Sequence, residues 1–262
     1  MHERLAELNA RRDQAARLEQ ERADLEIEIN AFRQTYLARV GPAQAELDAL
    51  ELHIAEYRVR NDLVRLRGRG LTPAQLEADV DWELRGRRAQ FEGYQESVRQ
   101  AAPAPDADLE PTVRSDLRAL YRDLAKRAHP DLALDEADRA ERGSWMADIN
   151  AAYARADVEA LQALAQRAAA PGAVDATWDA KRLRTEIERL DTVIAALRAD
   201  IAELNRSDWL AMKLDAALAR WRGIDWFEHA RRATQRRAAE RRVELDTLIA
   251  EFRDRVREAG LA

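Results

Sequence analysis

The chain reads as all-α, with long coiled-coil helices flanking a small helical hairpin. Three observations point there. Charged residues fill 35% of the 262 positions and aromatic ones only 6%, with nine glycines and seven prolines, the profile of solvated helices with narrow apolar seams rather than of a large globular core. Apolar residues recur over long stretches at alternating spacings of three and four. One such seam, Leu183, Ile187, Leu190, Ile194, Leu197, Ile201 and Leu204, runs without a polar interruption.

Taken in order, residues 3–40 place Leu8, Ala15, Leu18, Leu25, Ile29, Phe32 and Tyr36 on a seam interrupted by Arg11 and Arg22. Gly41-Pro42 should kink or break that helix. The pattern resumes as Leu47, Leu50, Ile54, Tyr57 and Val64, with Asn61 at the one polar seam position, where such a residue fixes register. Gly68 and Gly70 end it. Thr72-Pro73-Ala74-Gln75 reads as a capping box with proline at the first helical position, opening a helix to about Gln100. Residues 1–100 thus form the N-terminal coiled-coil helices, and 101–111, with three prolines, form a linker. A hairpin follows over 112–170, a second linker over 171–177, and C-terminal coiled-coil helices over 178–262. The helix over 178–206 would be ~43 Å long at 1.5 Å per residue. Ser207 offers a new cap, after which Trp209, Trp221, Trp226 and Phe227 form an aromatic cluster, open between a core role and a partner site. A last helix carries Leu245, Leu248, Ile249, Phe252 and Val256. Because the hairpin returns the chain, the first helix and the 178–206 helix are expected side by side and antiparallel. A homo-oligomer through the Leu183–Leu204 seam is the alternative.

In the hairpin, Leu117, Leu120, Tyr121, Leu124 and Ala128 fall on one arc of a helix, with Arg118, Arg122 and Lys126 on its flank. Pro130 disfavours helical dihedrals at His129 and donates no backbone hydrogen bond, so the helix should stop there and display His129 and Asp131 at a loop. In the next helix Trp145 or Met146, Ile149, Ala152 and Tyr153 recur at spacings of three and four, closing a two-helix core. The run from Leu117 to Ala128 ending in His129-Pro130-Asp131, followed by Ile149-Asn150-Ala151-Ala152-Tyr153, resembles the J-domain of DnaJ-like co-chaperones over about residues 112–165. The family's short first helix has no counterpart of normal length in 103–111. The resemblance implies that the basic face, Arg118, Arg122, Lys126 and Arg127, docks on an acidic surface of a DnaK-type chaperone. It further implies that His129, Pro130 and Asp131 couple substrate capture to that partner's ATP hydrolysis. Tyr121, Leu124, Ile149 and Tyr153 would support the motif from inside.

The remaining signals exclude more than they assign. Cysteine is absent, so disulfides and thiolate metal sites fall away. His2, His53 and His229 lack partners at metal-ligand spacing, and no phosphate loop, nucleophile elbow or nucleophile with a base partner is visible, so no enzyme and no cofactor is expected. No apolar run approaches the roughly 20 residues that span a bilayer, and the opening residues lack the apolar core of a signal peptide, which together predict a cytoplasmic protein away from membranes. The net charge of −6 argues against general nucleic-acid binding. Arg231–Arg242 carries six arginines against one glutamate, but they point all round the helix axis and read first as a solvated face. The favoured expectation is a co-chaperone or adaptor that recruits a DnaK-type chaperone, with coiled coils choosing the client or assembly partner. The alternative is a coiled-coil scaffold carrying a degenerate J-like interaction module.

Overall fold

The computed structural model describes residues 2–101, 111–130, 136–167 and 179–260, without the side chains of residues 69 and 111–114. All regular structure among the described residues is helical: α1 His2–Arg39, α2 Gly41–Arg67, α3 Pro73–Gln100, α4 Pro111–Ala128, α5 Glu136–Ala154, α6 Val158–Arg167, α7 Ala180–Asn205, α8 Asp208–Trp221 and α9 Trp226–Ala259, with a 3-10 turn at Gly68–Gly70. No described helix is long and apolar enough to cross a membrane. Residues 102–110 of the first linker, Asp131 with the rest of the loop to residue 135, and the whole second linker lie outside the described residues.

Contacts divide the chain into two units. The first comprises residues 1–30 and 105–211, the second 31–104 and 212–262, so α1 contributes residues 2–30 to one and its end to the other.

In the first unit α1 presents two faces. Leu5 and Leu8 pack with Leu183, Ile187 and Leu190 of α7, and Ala15 and Leu18 with Val193, Ile194 and Leu197. The seam of α7 is therefore buried against α1 of the same chain. The direction differs from the expected one: Arg4 bonds the Ala180 carbonyl and Arg11 bonds Asp191, so residue numbers rise together and the helices run parallel. The antiparallel neighbour of α1 is α4, on its other face, where Ala23 and Ile27 join a cluster built on Leu117, Tyr121, Leu124, Ala125, Ala128, Ile149, Ala152 and Tyr153. A third helix, α6, completes that cluster with the fully buried Leu161. Asp157 caps it, accepting from the Ala160 N–H at 2.9 Å.

In the second unit α2 lies between α3 and α9. The Thr72 capping box forms, its hydroxyl accepting from the Gln75 N–H and the Gln75 side chain accepting from the Thr72 N–H. α3 runs back along α2, with Arg60 bonding Glu77. Near the end of α3, Val98 leaves no room for a side chain at Gly41, since a Cβ there would stand 2.9 Å from a Val98 methyl carbon. Along α9, Leu47, Leu50 and Ile54 meet Ala238 and Leu245. Asn61 is buried, and its amide donates to the Leu248 carbonyl of α9 at 3.0 Å. The end of α1 rests on the start of α9, with Phe32 against Trp226 and Phe227 at centroid distances of 5.8 and 5.4 Å. Trp226 is thus a packing residue, whereas Trp221 is 85% exposed.

Candidate functional site

Two aromatic rings organise the segment where α4 ends. Tyr121 and Tyr153 stack at 4.3 Å between centroids, and the Tyr121 hydroxyl donates to Asn150 Oδ1 at 2.8 Å. Leu124 and Ile149 are wholly buried beside them. The four residues expected to support the motif are thus brought into one cluster. Burial pushes both phenols above their ordinary range, and for Tyr153 the nearby Asp24 carboxylate adds to it. The Tyr153 hydroxyl reaches out of the cluster and donates to Asp24 Oδ1 at 2.6 Å. Trp145 and Met146 also pack here.

α4 stops at Ala128, as Pro130 requires, and the His129 N–H still donates to the Ala125 carbonyl at 3.1 Å. His129 and Pro130 line an open cleft of about 430 Å³ together with Glu19 and Arg22 of α1, Met146 and Asn150 of α5, and Leu197 and Asp200 of α7. On its other side His129 borders a narrow crevice with Arg12, Ala16, Lys126 and Leu190. Arg22 is held by Glu19 at 2.5 Å and Glu26 at 2.9 Å.

The basic flank is not turned to open solvent along its length. Arg118 pairs with Asp24 at 3.2 Å, Arg122 donates to Gln20 Oε1 at 2.7 Å, and Lys126 pairs with Asp13 at 2.5 Å. Gln20 in turn donates to Asp24 at 3.1 Å, tying the rungs on α1 together. Arg127 turns to Asp123 of its own helix, while its backbone carbonyl accepts from Arg142. The residues missed by sequence reasoning are therefore those of α1. A second stripe, Ala16, Gln20, Ala23 and Ile27 at spacings of four, three and four, was their signal beside the more apolar seam.

No group of histidine, aspartate and glutamate side chains among the described residues is arranged to hold a metal ion. The arginine run on α9 is matched from within: Arg231 and Arg232 bond Glu228, Arg241 bonds Glu244, and Arg242 bonds Glu46. Comparison with protein-family models, curated proteins and solved structures returns no match to this chain.

Proposed function

We propose that the chain is a J-domain-type co-chaperone or adaptor that recruits a DnaK-type chaperone and stimulates its ATPase, its coiled-coil helices serving a client or an assembly partner. The observation that carries the reading is the end of α4: a helix with an aromatic-backed apolar face and a basic flank stops so that His129-Pro130 edges an open cleft. Asp131 completes the motif in sequence. The protein holds no chemistry of its own in this reading. ATP and its hydrolysis belong to the partner, and the motif acts by contact.

Steady-state ATPase of the organism's own DnaK-type chaperone, with and without the full chain, tests it. Stimulation by the parent that is lost in His129→Gln, with helicity unchanged, is the expected result. A well-folded parent that gives no turnover above baseline at any salt concentration sinks it. That outcome favours the alternative, a scaffold whose J-like module survives as a structural element. The pairing of Arg118, Arg122 and Lys126 with α1 is the observation in favour of that alternative.

A further inference from the structure

The basic flank of α4 already has an occupant. Asp13, Gln20 and Asp24 stand at i, i+7 and i+11 on α1, and Lys126, Arg122 and Arg118 descend α4 by four residues at a time, so the helices meet as an antiparallel ladder of three polar rungs. Small residues underlie the ladder: Ala23 on α1 shares a cluster with Ala125 of α4, and Ala16 lines one crevice with it. Of the larger apolar residues of α1, Leu5, Leu8 and Leu18 go to α7, and Ile27 joins Ala23 on the α4 cluster below the last rung. α1 is thus anchored by one face while the other serves α4 chiefly with polar groups.

We propose that the α1 stripe Asp13, Gln20 and Asp24 is an intramolecular cap on the basic flank of α4, and that this flank accepts the carboxylates of an acidic partner segment only in exchange for the cap. The proposal rests on the chaperone reading for the identity of that partner, not for the existence of the cap. The outer rung is the most exchangeable: Lys126 keeps 38% of its side-chain surface exposed and Asp13 49%, so solvent and salt screen that pair, and Arg118 is 41% exposed although its partner Asp24 is more enclosed and Gln20 is buried. A carboxylate-bearing partner competes on similar terms. What it must displace is the three polar rungs, the Tyr153 bond to Asp24 and the contacts of Ala23 and Ile27 with the α4 cluster, while α1 stays anchored on α7.

The cap is tested on the full chain with labelled poly-L-glutamate as the probe, without any chaperone. Asp13→Asn with Asp24→Asn should bind the probe about tenfold more tightly than the parent, because the flank no longer has an internal carboxylate to satisfy it. Glu3→Gln with Glu21→Gln makes the same charge change elsewhere on α1 and should leave binding near the parental value. Adding Arg122→Glu and Lys126→Glu should cancel the gain. Asp13→Ala with Gln20→Ala, which leaves the Asp24 bond to Tyr153 in place, repeats the test should the first pair disturb folding. Equal binding by cap variant and charge control overturns the cap. In the ATPase assay the cap variant should reach half-maximal stimulation at several-fold lower concentration. Tighter probe binding with no stimulation by any variant would leave the cap standing and remove the chaperone reading, whereas stimulation by the parent with no gain in probe binding would do the reverse.

Discussion

Tyr153 shows how one residue joins the apolar cluster to the polar ladder. Its ring stacks on Tyr121 and its hydroxyl is spent on Asp24, a carboxylate that also receives Arg118. Both phenols are held neutral by burial, with pKa values raised above the ordinary 10.0. The sign follows from linkage: a group whose folded pKa lies above its unfolded value contributes stability that is complete below the unfolded value and is lost as pH climbs toward the folded one. Stability should therefore be flat from neutral pH to about 9 and fall above about 10, where the unfolded phenols ionise and the folded ones do not. Denaturant midpoints followed against pH check this. Tyr153→Phe should lower stability at neutral pH, through loss of the Asp24 bond, and flatten the alkaline decline. An undiminished decline in a Tyr121→Phe, Tyr153→Phe double variant that still folds would show that other groups cause it.

At the scale of elements, what was legible depended on whether a signal was local. The capping box at Thr72, the stop imposed by Pro130 and the cap at Ser207, whose hydroxyl accepts from the Leu210 N–H, were all readable because each is decided within four residues. The seam of α7 was readable too, but not its direction, since a heptad pattern says which face is buried and nothing about which way the partner runs. α6 escaped because its boundary lacks the usual punctuation. The turn after α5 places Ala156 in the left-handed region at φ 54°, where glycine is the common choice, so neither glycine nor proline marked the break. The ladder between α1 and α4 was hard to read for a different reason: polar pairs about a hundred residues apart leave no periodic trace, and the one signal, the stripe Ala16, Gln20, Ala23 and Ile27, is faint beside the more apolar seam. The packing makes a contrast that can be measured. Leu161→Ala removes a wholly buried side chain from the cluster that α6 closes and should cost about 2–5 kcal/mol. Leu218→Ala on α8, where the side chain is 56% exposed, should stay within about 0.5 kcal/mol. Equal effects in denaturant unfolding would mean that α6 contributes no more to the folded state than an exposed surface helix.

For the whole molecule, charge is the dominant property, and its arrangement decides what the surface can bind. A net charge of −6 accompanies 43 lysines and arginines, so many basic groups are available and the question is whether any set of them is left to an outside anion. On α4 the structure answers with carboxylates and an amide from α1, and on α9 with Glu228, Glu244 and Glu46. Arg236 and Arg237 stand between the matched pairs of α9, and Asp48 acts on Arg237 electrostatically. Nucleic-acid binding needs unmatched cations along a face, since affinity comes from counterions released as phosphates are neutralised. The two arginines left within this run supply a log–log salt slope of about −2 at most, too shallow for the run alone to retain a duplex at physiological salt. Fluorescence anisotropy with a labelled duplex should accordingly show no binding by the full chain at micromolar concentration in physiological salt. Weak association at low salt should vanish in Arg236→Ala with Arg237→Ala. Tight, steeply salt-dependent binding that survives this double substitution would instead mean that the glutamates on α9 release their arginines to a polyanion, and that the internal matching of charge does not govern what the molecule binds.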